Sequence, residues 1–138
     1  MKIYFAGSIR GGRDDQPLYF QIIELLTKYG VVLTEHLGHQ NLSASGEASP
    51  EELIYKRDMT WLHEADVVVA EVSTPSLGVG YELSKVEDMH KPLLCLFRSD
   101  SERMLSAMIA GNKEIKVAHY TNIQDVSNSI QNFFQSLN

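Results

Sequence analysis

The chain has 138 residues, of which 43% are hydrophobic and 22% are charged, as in an ordinary globular protein. Its formal net charge of −6, without a basic block, argues against binding of a nucleic-acid polymer, although one or two local cations can still hold a small anion. This length is typical of one domain and allows a real hydrophobic core, so we expect a single domain over 1–138.

Cysteine usage and hydropathy indicate the compartment. The lone cysteine, Cys95, lies in the apolar run 93–97, where we expect a buried thiol and no disulfide framework. No run is long enough to cross a bilayer, and residues 1–5 resemble a strand more than the apolar segment of a signal peptide. We therefore expect a reducing intracellular location in the cytoplasm, with entry into the nucleus left open.

Strand-like and helix-like patterns alternate along the chain. β-prone runs predict strands at 2–6, 31–34, 66–72, 93–97 and 115–118. Apolar residues at helical spacing predict helices over 16–29, 50–64, 79–89, 101–110 and 123–137. This alternation predicts an α/β fold: a five-stranded parallel sheet flanked by helices, a three-layer sandwich of flavodoxin-like or Rossmann-like order. The polar stretch 37–49 is expected to form a loop long enough to be part of a lid.

Two glycine-containing segments follow the first and third predicted strands, at 7–13 and 75–83. The carboxyl ends of parallel strands share one edge of a sheet, so the two segments should face each other there. Together they offer backbone amides, hydroxyls and a guanidinium, which suits a phosphate. Neither segment is a Walker A loop or has GxGxxG spacing, although Glu35 after the second strand keeps dinucleotide binding as a weak alternative.

Two acidic residues are candidates for chemistry at this edge. Asp58 lies on the apolar stripe of the 50–64 helix, where an unpaired carboxylate is costly, and local pairing with Arg57 is the alternative explanation. Glu82 is expected in the first turn of the next helix, where the macrodipole should keep it ionised at neutral pH or where it simply offsets the dipole. Paired carboxylates suit displacement at an N-glycosidic carbon. Tyr4 either orients Glu82 or is a half-buried strand aromatic.

The remaining candidates give weaker signals. The five histidines are scattered, so we expect no metal site, and His36 with His39 could instead line the mouth of a ligand site. Ser106 and Met108 fall on the predicted short helix, where packing within one subunit is the simplest explanation.

Six blocks of sequence resemble the 2'-deoxynucleoside 5'-phosphate N-hydrolases (the Rcl type) of the nucleoside 2-deoxyribosyltransferase superfamily. The blocks are Tyr4–Arg13, Leu33–His36, Ala65–Val72, Pro75–Leu83, Leu94–Arg98 and Leu105–Ile109. The resemblance implies hydrolysis of the N-glycosidic bond of a 2'-deoxynucleoside 5'-monophosphate to free base and 2-deoxyribose 5-phosphate, without a cofactor or metal. The chain departs from the family mainly at 37–57 and after Gly111, so the resemblance does not imply which base is preferred. Transfer of deoxyribose between bases and a non-catalytic nucleotide-binding module are the alternatives.

The resemblance also implies residue roles. Glu82 would be the nucleophile that forms a covalent glutamyl-deoxyribosyl intermediate, Asp58 the proton donor, and Tyr4 the group that positions Glu82. The 5'-phosphate would be held by Ser8, Arg10, Gly11, Gly12, Ser76 and Gly78, and the wider substrate-binding set adds Gly7, Ile9, Arg13, Ile22 and His36. Ser106 and Met108 would reach the site of a neighbouring subunit, which implies a homodimer. Base-transferring relatives carry an acid in place of Ser76, and a serine there suits a substrate that bears a phosphate.

Overall fold

The computed structural model describes residues 1–8, 15–34 and 50–138. Within them, five parallel strands form a sheet in the order β2-β1-β3-β4-β5. The strands are β1 (Lys2–Ala6), β2 (Val31–Val32), β3 (Val67–Glu71), β4 (Leu93–Arg98) and β5 (Lys116–Tyr120). The helices are α1 (Gln16–Leu26), α2 (Glu51–Glu64), α3 (Leu77–Asp88), α4 (Ala107–Ala110) and α5 (Ile123–Gln135). The predicted α/β fold with a parallel sheet of flavodoxin-like order is confirmed.

The central strand β3 shows why the sheet is covered on both faces. All five of its residues are buried, because successive side chains point to opposite faces and helices cover each face. Val67 and Val69 belong to the core cluster that includes residues of α1 and α5. Val68 and Ala70 belong to the cluster that includes residues of α2 and α3. A valine buried in this way contributes on the order of 2 kcal/mol through the apolar surface it removes from water.

Helix α1 fixes the end of β1 through one aromatic contact. A Cβ added to Gly7 would lie 2.9 Å from the Tyr19 ring, so the close approach of this ring requires a glycine. The Tyr19 hydroxyl accepts a hydrogen bond from the Ser8 amide at 3.0 Å. The position of Ser8 is therefore set by a buried side chain of α1.

Four helices differ from the predicted bounds by two residues or more, and two of them, α1 and α5, simply end earlier, at Leu26 and Gln135. Helix α3 begins at Leu77, two residues earlier than predicted, because the Ser76 hydroxyl caps it by accepting a hydrogen bond from the Val79 amide at 3.3 Å. Helix α4 is confined to four residues, although the apolar pattern predicted a helix over 101–110. Its pattern does not mark a buried stripe, since Met104 is 92% exposed. In the described part of the chain, no helix is both long and apolar enough to cross a membrane.

Candidate active site

Glu82 lies in the second turn of α3, because the helix already begins at Leu77. The prediction that it occupies the first turn is therefore wrong. Stabilisation of a carboxylate by the helix macrodipole falls off within that first turn, so the local environment of Glu82 decides its charge.

That environment favours the protonated carboxyl. Burial raises the pKa of Glu82 to about 8, and the negative charge of Asp58 adds to the increase. A hydrogen bond with the side chain of Tyr4 acts in the opposite direction and is the weaker influence. The expectation that Glu82 is ionised at neutral pH is therefore wrong for the unliganded protein, because loss of water outweighs the favourable hydrogen bond.

Tyr4 lies on β1 beneath the two acids, and its side chain is 2% exposed. Burial, followed by the charges of Glu82 and Asp58, raises the pKa of the Tyr4 hydroxyl, so the phenol keeps its proton. A neutral phenol can donate a hydrogen bond to the Glu82 carboxylate. The influence of both acids on one hydroxyl shows that the structure brings together Tyr4, Asp58 and Glu82, the three residues predicted to be catalytic.

Asp58 is half-buried on α2 and pairs with its neighbour on the helix. The Arg57 guanidinium donates to Oδ1 of Asp58 from Nε at 2.9 Å and from Nη2 at 2.7 Å. The same guanidinium lies 4.7 Å from the centroid of the Trp61 ring. The local pairing considered as an alternative is thus present, and it coexists with the electrostatic coupling of Asp58 to Glu82 and Tyr4. Contact with an arginine favours the ionised form of a carboxyl group.

Ser8 presents an unused hydroxyl at the carboxyl end of β1. Its side chain is 1% exposed, and its Oγ has no hydrogen-bond partner among the residues that the structure describes. Leaving a buried hydroxyl unpaired costs roughly 1–3 kcal/mol, which a bound polar ligand can recover. Near the same edge, Ser76 is half-buried and Gly78 is exposed. A Cβ added to Gly78 would meet only the Ser76 Oγ, at 3.8 Å, so the space above this glycine is open.

The structure does not bring all the predicted residues to this site. Ile22 is fully buried in the core cluster on the α1 side of the sheet, so packing accounts for it. Ser106 and Met108 are exposed at the start of α4, where the Ser106 hydroxyl accepts from the Met108 amide at 3.3 Å. They line a groove of about 520 Å³ together with Ser76.

Neither Asp58 nor Glu82 is among the described residues that line this groove. Met108 is 83% exposed, so the expectation that it packs within its own subunit is wrong. The predicted residues Ile9, Arg10, Gly11, Gly12, Arg13 and His36 lie outside the described residues, as do Glu35 and His39.

Sequence reasoning missed a polar network at the carboxyl ends of β3 and β4. Its members are Asp15, Glu71, Ser73, Thr74, Arg98 and Tyr120. One signal was available, because Glu71 interrupts a run of apolar residues in a strand predicted to be buried. Residues 1–8, 15–34 and 50–138 contain no group of three or more His, Cys, Asp or Glu side chains that could hold a metal ion.

The strand order and the two coupled carboxyl groups, on the helices before and after β3, define a class of α/β protein with a carboxylate pair above a parallel sheet. The chain belongs to the nucleoside 2-deoxyribosyltransferase family, whose sequence model matches residues 3–133.

Two relatives illustrate the range of similarity within the family. A protein of Mus musculus named 5-hydroxymethyl-dUMP N-hydrolase is 57% identical over 111 residues, which cover 79% of this chain and 64% of that protein. A protein of the same name from Esox lucius is 46% identical over 143 residues, covering 99% of this chain and 98% of its own. The match to the mouse protein thus spans just under two thirds of its length.

Solved structures share the fold at low sequence identity. A CMP N-glycosidase from Clostridium botulinum has a TM-score of 0.67 at 15% identity, covering 96% of this chain and 99% of its own. A 2-deoxyribosyltransferase from Bacillus psychrosaccharolyticus has a TM-score of 0.66 at 18% identity, with 93% and 91% covered. These similarities establish the architecture and leave the chemistry to be argued from the site.

Proposed function

We propose that this protein hydrolyses the N-glycosidic bond of 2'-deoxynucleoside 5'-monophosphates, giving a free base and 2-deoxyribose 5-phosphate. The observation that carries the proposal is the grouping of Glu82 and Asp58 with the neutral hydroxyl of Tyr4. Two carboxyl groups are what displacement at an acetal-type carbon needs, because one can attack the carbon while the other handles a proton.

The proposed reaction has two steps. In the first, a carboxylate oxygen of Glu82 bonds to C1' as the C1'–N bond breaks, and the departing base takes a proton supplied from the side of Asp58. In the second, water attacks C1', the Glu82 carboxylate leaves, and the proton from the water returns to the acid. Carboxylates of this kind stabilise the oxocarbenium-like transition states on either side of a glycosyl-enzyme intermediate.

In the unliganded site Glu82 carries the proton, whereas the proposed reaction needs that proton on the side of Asp58, next to the base. With a pKa of about 8, Glu82 is mostly protonated at pH 7, while Arg57 favours an ionised Asp58. The attacking form requires an ionised Glu82 and a proton available to the base. Neighbouring carboxyl groups resist double ionisation, so we propose that one proton is shared by the pair and is transferred toward the base as the substrate enters.

The groups near the carboxyl edge suit the phosphate of the substrate. Ser8 offers a buried hydroxyl without a partner, and Ser76 with Gly78 offers a hydroxyl and open space at the start of α3. Helix N-termini favour anions through their amide groups and their dipole. Because the relatives named above are called 5-hydroxymethyl-dUMP N-hydrolases, we propose this nucleotide as the first substrate to test.

We also propose that the protein acts as a homodimer in which Ser106 and Met108 approach the site of the other subunit. Three large apolar side chains on this surface support an interface: Leu77 is 97% exposed, Met104 is 92% exposed, and Met108 is similarly open. Exposed apolar groups concentrated in one region are typical of interaction surfaces. The molecular mass in solution tests this part of the proposal, and a monomer at working concentration would exclude it.

The experiment is a turnover panel with product separation by chromatography. The protein is incubated with 5-hydroxymethyl-dUMP, dGMP and the corresponding ribonucleotides, and we expect free base from at least one deoxynucleotide. Adding a second free base separates hydrolysis from base exchange, because a transferase would then form a new nucleotide. Binding without any base release, unchanged in Glu82→Gln, would instead indicate a non-catalytic nucleotide-binding module.

A further inference from the structure

The first turn of α1 contacts both segments of the proposed phosphate site. Asp15 occupies the N-cap position of this helix without a side-chain capping bond, and its Oδ2 instead accepts a hydrogen bond from the Thr74 hydroxyl at 2.9 Å. Tyr19 lies one helical turn later, and its hydroxyl accepts a hydrogen bond from the Ser8 amide at 3.0 Å. Asp15 and Tyr19 are four residues apart and therefore lie on the same face of α1. From this one turn, Tyr19 holds Ser8 and Asp15 holds Thr74.

Asp15 is itself held by a cation. Nη1 of Arg98 donates to Oδ1 of Asp15 at 3.0 Å, and the Asp15 side chain is only 11% exposed. We call the chain of contacts Arg98–Asp15–Thr74 the Asp15 bridge. A carboxylate so close to a site for an anionic substrate would repel it if unpaired, and the Arg98 guanidinium offsets that charge.

The residue before Thr74 has its own buried anchor. The Glu71 side chain is completely buried, and its Oε1 accepts hydrogen bonds from the Ser73 amide at 3.3 Å, from the Ser73 hydroxyl and from the Tyr120 hydroxyl at 3.0 Å. The Arg98 amide donates to the Ser73 hydroxyl at 2.8 Å. Two successive residues of the turn that leads into α3 are therefore fixed by acidic side chains, Ser73 by Glu71 and Thr74 by Asp15.

We propose that Asp15 is a positioning residue for phosphate binding, which it serves by holding the turn 73–76 and helix α1 in one fixed relation through the Asp15 bridge. This inference rests on the proposed function, since it assigns the phosphate to Ser8 and to the turn that carries Ser76. Groups that are already fixed before the ligand arrives lose less conformational freedom on binding. A substitution that lets the turn move should therefore weaken substrate affinity more than it slows the chemical step.

The test compares Asp15→Ala and Thr74→Val with the wild-type protein. We expect Asp15→Ala to raise KM for the monophosphate about five- to tenfold and Thr74→Val about threefold, with kcat kept within about twofold. The double variant should be no worse than Asp15→Ala, because both changes remove the same contact. Calorimetric titration with inorganic phosphate should show the same order of weakening.

Asp125→Ala is the matched control. The Asp125 carboxylate likewise accepts two hydrogen bonds near the start of a helix, in this case α5. They come from the amide and the hydroxyl of Thr121, both at 2.9 Å. We expect it to lower thermal stability and to leave KM and phosphate affinity unchanged.

The inference is overturned if phosphate affinity and KM of Asp15→Ala and Thr74→Val equal those of the wild type, or if Asp125→Ala weakens phosphate binding equally. It is also overturned if the wild type does not bind inorganic phosphate. Absence of turnover with normal phosphate binding contradicts the proposed function alone, and the calorimetric comparison of the variants then decides the role of Asp15.

Discussion

Replacement of Glu82 by glutamine should change how the stability of the protein depends on pH. The folded protein binds the proton of Glu82 with a pKa of about 8, whereas the unfolded chain releases it near the ordinary value of 4.5. Between these two values the folded state carries more protons than the unfolded state. The free energy of unfolding of the wild type therefore falls as the pH rises through this window, and it levels off above pH 8. Glutamine cannot ionise, so the variant lacks this decline.

The magnitude follows from the width of the window. Each pH unit within it costs the wild type about 1.4 kcal/mol relative to a group that does not titrate. From pH 5 to pH 7 the advantage of Glu82→Gln should thus grow by roughly 2 kcal/mol, after allowance for the rounding of the curve near pH 5. For a domain of this size that difference corresponds to a shift in Tm of about 6–8 °C.

Thermal unfolding of both proteins from pH 5 to pH 9, followed by circular dichroism, measures this difference. Glu24→Gln, a change of an exposed carboxyl on α1, serves as the control and should show a constant difference from the wild type. A constant or shrinking difference in Tm for Glu82→Gln across the window would refute the reasoning, because it would mean that Glu82 is ionised in the folded protein at neutral pH.

Three further predictions follow from the site and its surroundings. Tyr4→Phe removes the hydrogen bond that lowers the pKa of Glu82, so the falling limb of the pH–rate profile, where the shared proton is lost, should move to higher pH with a loss of kcat of about tenfold or more; an unmoved limb would contradict a role for Tyr4 toward Glu82. Gly7→Ala places a Cβ 2.9 Å from the Tyr19 ring and should lower the free energy of unfolding by about 1–3 kcal/mol in urea titrations, whereas an unchanged midpoint would show that the ring can move away. Ser106→Ala should raise KM only under conditions in which the protein is dimeric by light scattering, and an equal effect on a monomer would exclude the proposed reach into a second subunit.

Patterns along the chain were sufficient to predict the sheet. Its three inner strands, β1, β3 and β4, are runs of mostly apolar residues that are almost entirely buried, and Val67–Glu71 is the clearest example. Helix bounds were less accurate where apolar spacing did not coincide with burial, as around Met104. The start of α3 depends on the Ser76 cap, a side-chain contact that periodicity does not report.

The sequence was sufficient to predict which residues form the carboxylate pair, but it could not predict their protonation states. An acid on an apolar helical stripe drew attention to Asp58, and the segment after β3 drew attention to Glu82. The protonation of Glu82 depends on how much water the fold removes and on its closeness to Asp58, which are three-dimensional quantities. The Asp15–Thr74 contact joins residues 59 positions apart, so no local pattern could indicate it. The single domain and the cytoplasmic location stay predictions.

The most direct test of the central claim is the initial rate of base release from 5-hydroxymethyl-dUMP by the wild type and by Glu82→Gln, measured side by side at pH 7. We expect the wild type to release free base and 2-deoxyribose 5-phosphate. We expect the glutamine variant still to bind the nucleotide and to turn it over at least about a thousandfold more slowly, because its side chain cannot attack C1' as a carboxylate. Comparable rates of base release from the two proteins would contradict the central claim.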